Sequence, residues 1–212
     1  MQGIAGIVYP DIFQMTHLVG SMLSPIPKTE KTVVDNYTVK NIEFGIVGSS
    51  FATNEQKTIL VGFDGHLTNT KELKKEYPFL DSSSIAHLTL SLYQYLGSNF
   101  VKKLQGEFII VVHDAVKEEL LLARDPIGKR TLYWYQDSNH FLFSTHLKSL
   151  LMTGVVPQTL AKDACAAYLY LGYLPQDLTP IKNVNKLLPG CTLTLKDRGG
   201  VEIQSYWSLS SH

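Results

Sequence analysis

The run Gly3-Ile4-Ala5-Gly6-Ile7-Val8-Tyr9 carries no charge, and almost every side chain in it is apolar or small. Ile4–Tyr9 therefore reads as a strand buried on both faces, and Gly3 and Gly6 let another backbone or side chain come close. Residues 43–48 and 58–63 read as further short strands. Glu107–Ala115 and Glu119–Ala123 form an apolar hairpin around Val116-Lys117. Thr131–Gln136 and His140–Ser144 form a second hairpin, turning at Asp137-Ser138-Asn139. Strands at 191–196 and 201–206 meet about Asp197-Arg198-Gly199-Gly200. Helices separate these hairpins. Asn69 is placed to cap a short helix beginning Thr70-Lys71-Glu72-Leu73 by accepting from a first-turn amide. Ser84 opens a longer helix in which Ile85, Leu88, Leu92 and Tyr95 recur at helical spacing before Gly97 stops it. Further helices are expected at 145–151 and 160–171. Hairpins alternating with helix blocks imply antiparallel sheets covered by helices, hence an α+β fold.

Composition narrows the function classes. The 212 residues suffice for a single domain with a substantial core. Lys+Arg and Asp+Glu are both 19, so no basic field favours nucleic acid or anionic lipid. Cys165 and Cys191 stand far apart and outside any metal spacing, as buried thiols would. Apolar runs fall short of the ~20 residues of a membrane span, and no secretion signal stands at the N-terminus. The expectation is a cytoplasmic protein with no nucleic-acid or membrane partner. No repeat or low-complexity segment occurs; Ser21–Lys31, with Pro25 and Pro27, is the one linker-like stretch.

Five motifs in order carry a family resemblance. Met1-Gln2-Gly3-Ile4-Ala5-Gly6-Ile7 resembles an M-C-G-I-A-G-I start. Gly106–Asp114 and Leu122–Trp134 (the latter containing Ala123-Arg124-Asp125-Pro126-Ile127-Gly128) are similar to G-x-F-A-F-x-x-x-D and A-R-D-x-x-G-x-x-P-L-Y-Y. Phe143-Ser144-Thr145-His146-Leu147-Lys148-Ser149-Leu150 resembles F-A-S-E-x-K-A-L. Leu187–Leu195 resembles K-L-P-P-G-x-x-L-x-L, and Tyr206-Trp207 stands where Y-W precedes an ATP-using domain. By these motifs the whole chain, residues 1–212, resembles the glutaminase domain of the class II glutamine amidotransferases, above all of the asparagine synthetases. That resemblance implies the N-terminal-nucleophile hydrolase sandwich, an αββα arrangement of two antiparallel sheets flanked by helices. It also implies a link to asparagine biosynthesis.

In that family the residue after the initiator Met is a Cys whose thiol attacks glutamine while its own α-amine serves as base. Here it is Gln2, a carboxamide with no nucleophilic capacity. Met1 is trimmed only before small residues, so it is expected to remain. By the resemblance, Glu43 falls where an Arg holds the substrate carboxylate, and Asp64 where an Asn donates to the oxyanion. His66 replaces an acidic residue, and Ile85 stands for the Asp that binds the substrate ammonium. Gly65 is retained. The resemblance thus implies a degenerate pocket at Gln2, Glu43, Asp64, Gly65, His66 and Ile85, with no catalytic residue expected. The family's H-R-G-P-D loop has no counterpart in Ser21–Lys31.

Each position also has a plain structural reading. Gln2 could satisfy buried backbone groups, Glu43 and His66 could be solvated, Asp64-Gly65 could be a simple turn pair, and Ile85 could be core. Glu43, Asp64 and His66 together have ligand-competent chemistry but no metal spacing. The Arg124-Asp125-Pro126 turn reads as architectural. Ser83 and His87 stand one helical turn apart without a G-x-S-x-G context. The family's pyrophosphatase motif S-G-G-x-D-S occurs nowhere, so no cofactor is expected in this chain; ATP and Mg are expected only for a synthetase domain beyond 208–212. The expected role is structural, docking on such a domain in cis or trans, as in β-lactam synthetases, whose N-terminal domain keeps the fold without the nucleophile. A binding module whose altered pocket holds another small molecule is the alternative. Tyr168–Leu174 is uncharged and rich in aromatic residues, which marks it as the expected docking face, with self-association possible through it.

Overall fold

The computed structural model describes residues 2–9, 18–28, 32–175, 178–196 and 200–209. These fall into two compact units, Met1–Gly48 with Thr131–Leu188, and Ser49–Arg130 with Pro189–His212.

The first unit holds a six-stranded antiparallel sheet. It contains β1 (Gly3–Val8), β2 (Val34–Val39), β3 (Ile42–Val47), β8 (Tyr133–Gln136), β9 (Phe141–Ser144) and β10 (Val184–Lys186), in the order β10-β8-β9-β1-β3-β2. β1 is central, pairing Gly3 with Val47 on one side and Ala5 with Ser144 on the other. Its glycines serve close approach as expected: a Cβ on Gly6 would strike the Phe143 ring. Ala5, Ile7 and Tyr9 pack with Val19, Met22 and Leu23 of α1 (Val19–Leu23) and with Leu150 of α4 (Leu147–Leu151). Ser21–Leu23 is thus helix rather than linker; residues 29–31 of that stretch lie outside the described residues.

α5 (Lys162–Leu171) buries only Ala164. Tyr168, Tyr170 and Tyr173 are 55%, 89% and 61% exposed, and Leu169 and Leu171 are exposed beside them. The expected apolar face is therefore on the surface.

The second unit holds the other six-stranded antiparallel sheet, β12-β11-β7-β6-β5-β4. Its strands are β4 (Ser50–Thr53), β5 (Ile59–Leu67), β6 (Gly106–Asp114), β7 (Glu119–Arg124), β11 (Cys191–Lys196) and β12 (Gly200–Ser205). The turn expected at 197–199 lies outside the described residues. Val61, Phe63 and Leu67 of β5 and Phe108, Ile110 and Val112 of β6 point to one face. There they pack with Leu88, Leu92 and Tyr93 of α3 (Ile85–Leu96). The Ser84 hydroxyl accepts from the His87 amide at 3.2 Å and lies 2.8 Å from His87 Nδ1, so His87 meets the helix-capping Ser84 rather than Ser83.

Two helix expectations fail. Asn69 precedes α2 (Thr70–Glu76) but makes no capping bond. Its amide instead donates to the Lys103 carbonyl (2.8 Å) and its oxygen accepts from the Gln105 amide (3.1 Å), a long-range pairing that outcompetes the local one. Tyr95 is exposed, stacked edge-on against Phe79; Tyr93 takes the inward position, its hydroxyl donating to Asp114 at 3.0 Å.

Candidate functional site

The end of β5 brings Asp64, Gly65 and His66 together. In register Asp64 faces Ile109, Gly65 faces Phe108 and His66 faces Glu107. Side chains alternate along a strand, so Asp64, His66 and Glu107 share the face opposite the α3 core, with Asp64 buried and His66 exposed. Gly65 sits at φ +139°, and a Cβ there would strike the Glu107 carbonyl oxygen. Only glycine lets the two backbones meet so closely.

A second segment completes the cluster. After β7 the chain turns sharply around Asp125, which is fully buried. Its Oδ1 accepts from the amides of Gly128 (2.6 Å) and Lys129 (3.0 Å), and its Oδ2 from that of Arg130 (3.1 Å). Arg124 closes the same turn by donating Nε to the Arg130 carbonyl (2.5 Å) and Nη2 to that of Gly128 (2.9 Å). The architectural reading of Arg124-Asp125 is what the geometry shows. The turn delivers the Arg130 guanidinium to Asp64 Oδ1 at 3.0 Å, with Glu107 3.9 Å from its other nitrogen. Lys129 reaches Glu107 from solvent at 3.5 Å.

Burial pushes the Asp64 carboxyl above its usual range; Arg130 opposes this and Glu107 reinforces it. The folded state therefore holds this proton more tightly than the unfolded chain does. The contribution of the group to stability is fullest below the unfolded value of 3.8 and declines as pH rises through the higher folded value. Relative to Asp64→Asn, the native protein should lose stability between about pH 3 and pH 7, as measured by urea unfolding. An opposite slope would show that the Arg130 contact outweighs burial.

Of the remaining positions, Gln2 and Glu43 belong to the first unit and Ile85 to the second. Gln2 precedes β1 and is exposed, so it does not fill a buried site as one structural reading supposed. Glu43 is not solvated either; it is 3% exposed. Its strand lies inside the sheet between β1 and β2, and the Tyr9 hydroxyl approaches its carboxylate at 3.4 Å. Glu43 pairs with Ile7, five residues along β1 from Gln2, a separation of about 17 Å at strand rise. Ile85 begins α3 and packs partly buried against the second core, as its plain reading expects. Cys191 is buried, and burial raises its thiol above the usual range.

Arg130 and Glu107 were not singled out from the sequence. The available signal was that Asp64, if buried, needs a cation, and the Arg-Asp turn holds two, Lys129 and Arg130. Among the described residues no helix is long and apolar enough to cross a membrane, and no three His, Cys, Asp or Glu side chains are grouped to hold a metal ion.

Two six-stranded antiparallel sheets with helices make this an α+β fold of the N-terminal-nucleophile hydrolase type. The structure of glutamine phosphoribosylpyrophosphate amidotransferase from B. subtilis, complexed with ADP and GMP, matches it with a TM-score of 0.65 at 14% identity, covering 97% of this chain and 49% of that one. An allosteric regulatory enzyme of purine biosynthesis matches with a TM-score of 0.66 at 13% identity, over the same shares.

The chain belongs to the glutamine amidotransferase domain family, whose model matches residues 47–207. A putative glutamine-hydrolysing asparagine synthetase of Methanocaldococcus jannaschii is 28% identical over 162 residues, 74% of this chain and 32% of that protein. A glutamine-hydrolysing asparagine synthetase of Bacillus subtilis is 27% identical over 161 residues, 74% of this chain and 25% of that protein. The amidase chyE of Penicillium rubens is 29% identical over 138 residues, 65% of this chain and 20% of that protein. The chain thus spans a third or less of the length of these relatives.

Proposed function

We propose that this is a glutamine amidotransferase domain of asparagine synthetase type that has lost glutaminase activity. The observation that carries the reading is Gln2 at the head of β1, where the resemblance requires a cysteine. A carboxamide cannot attack an amide carbonyl, and no thiol side chain stands at that position. Asp64 supports the same reading. Ion-paired to Arg130, it accepts hydrogen bonds, whereas an oxyanion needs a donor. A glutamine-analogue electrophile such as a diazoketone should leave residue 2 unlabelled, as read by peptide mass spectrometry; modification there would overturn the reading.

The role assigned to the domain is to dock on an ATP-dependent amide-forming domain, in cis or in trans. The α5 face supports this, since Tyr168, Leu169, Tyr170 and Leu171 are all exposed on one short helix, and clustered exposed apolar side chains mark interaction sites. Changing Tyr170→Lys and Leu169→Glu together should cost under about 0.5 kcal/mol of stability, because both side chains are exposed. In the isolated chain the change should lower the sedimentation-equilibrium mass toward that of a monomer. An unchanged mass, or a large stability loss, would remove α5 as the docking face. A second reading, a binding module that holds another small molecule, is favoured by the buried Asp64–Arg130 cluster.

A further inference from the structure

We propose that β12 is a self-pairing edge: two copies of this chain join their β12 strands antiparallel about a two-fold axis at Ile203, so that the second unit's sheet runs on from one copy into the other. β12 ends its sheet, and no described strand pairs with its free side. It matches β11 residue for residue from Gly200 to Ser205, without a bulge. The direction of its bonds follows from the next residue along. The Tyr206 amide donates to the Gly190 carbonyl at 2.8 Å, toward the β11 side. In an antiparallel ladder the backbone groups of successive residues turn to alternate sides. Those of Glu202 and Gln204 therefore also turn to β11, and those of Val201, Ile203 and Ser205 turn out to the free edge.

Sheet edges are ordinarily guarded by shortness, Lys, Pro or a bulge. β4, at the other edge of this sheet, has 4 residues; β12 has 6, with neither Lys nor Pro among them. Its one charge, Glu202, is drawn onto β11 by Lys196 at 2.9 Å, and Ile203 is 48% exposed. The side chains then fix the register. With Ile203 opposite Ile203 of the second copy, Val201 meets Ser205 and Glu202 meets Gln204, and every outward backbone group of Val201, Ile203 and Ser205 finds a partner. A slip one way sets Glu202 against Glu202, and like charges directly opposite destabilise a strand pair. A slip the other way carries Val201 past the end of β12, opposite Trp207. The surface joined is small against the ~1,600 Å² of a standard interface, so the pairing is weak and concentration-dependent. It uses no residue of α5 and stands apart from the docking reading.

Amide exchange of the 15N-labelled full chain, followed by NMR across a concentration series, provides the test. It is run in the Leu169→Glu/Tyr170→Lys protein, so that association through α5 does not enter. The amides of Val201, Ile203 and Ser205 should gain protection as concentration rises, while those of Glu202 and Gln204, already turned to β11, should not change. Gln204 is exposed, so its substitutions leave the fold intact. Gln204→Lys sets a cation opposite Glu202 of the second copy and should tighten the pairing; Gln204→Glu should weaken it. Each change should be roughly 2–30-fold, because two such cross-strand pairs form per dimer. No concentration-dependent protection, equal gains along the whole strand, or weakening by both substitutions would overturn the proposal. None of these readouts involves glutamine, so failure here is distinct from failure of the pseudo-enzyme reading.

Discussion

Asp125→Ala is expected to destabilise the protein by about 3–5 kcal/mol. The carboxylate is fully buried and accepts from three consecutive amides, those of Gly128, Lys129 and Arg130. Bonds to a charged acceptor contribute about 1.5–3 kcal/mol each, and each buried N–H left without a partner costs about 1–3 kcal/mol. These terms do not simply add, because the turn can relax toward solvent at exposed Lys129. Domains of ordinary stability have about 5–15 kcal/mol in total, so the variant should be partly unfolded at moderate temperature.

The loss also spreads to the site. Once the turn loosens, Arg130 is no longer held against Asp64, and a buried carboxylate loses its counter-charge. Asp125→Asn keeps one acceptor oxygen and should fall between the native protein and Asp125→Ala. Urea unfolding of the three proteins gives the comparison, and a loss below about 1 kcal/mol in Asp125→Ala would show that the turn is held by other bonds.

The sequence disclosed the paired strands well where both faces or one face are apolar. β6 and β7 read as an apolar hairpin because Phe108, Ile110 and Val112 face a core while their neighbours are also buried. β2 left almost no signal: Val34, Asn36 and Thr38 are exposed, as suits the edge of a sheet. β10 is only three residues long, too short for any periodicity. Asn69 misled because a local cap and a long-range pairing compete for the same side-chain oxygen, and only the fold shows which partner is present.

The candidate site was half legible. Asp64, Gly65 and His66 were marked as neighbouring pocket positions by the family resemblance, but they lie within strand β5, paired with β6, and Asp64-Gly65 is not the turn pair of its plain reading. Arg130 was hidden because its role depends on where Asp125 turns the chain. Glu43 misled in the opposite way: a charged residue in a strand suggests solvent, yet it is enclosed beside Tyr9.

Gln2→Cys alone should not restore glutamine turnover, although a thiol would then stand where the resemblance requires it. Removing one oxyanion donor costs about 100–1,000-fold in rate. Here the position carries Asp64, whose carboxyl oxygen accepts from Arg130 and supplies no amide donor to the developing negative charge. Ile85, where the resemblance calls for an aspartate, offers nothing to a substrate ammonium. Adding Asp64→Asn to Gln2→Cys supplies an amide donor at that position, so any recovery should appear first in that double variant.

The most direct measurement is ammonia release from glutamine by the purified native chain, followed in a coupled glutamate dehydrogenase assay, with Cys165→Ser/Cys191→Ser as a control for stray thiols. The account predicts a rate equal to the protein-free background in both proteins. Sustained, glutamine-dependent ammonia release that survives the double cysteine substitution would contradict it.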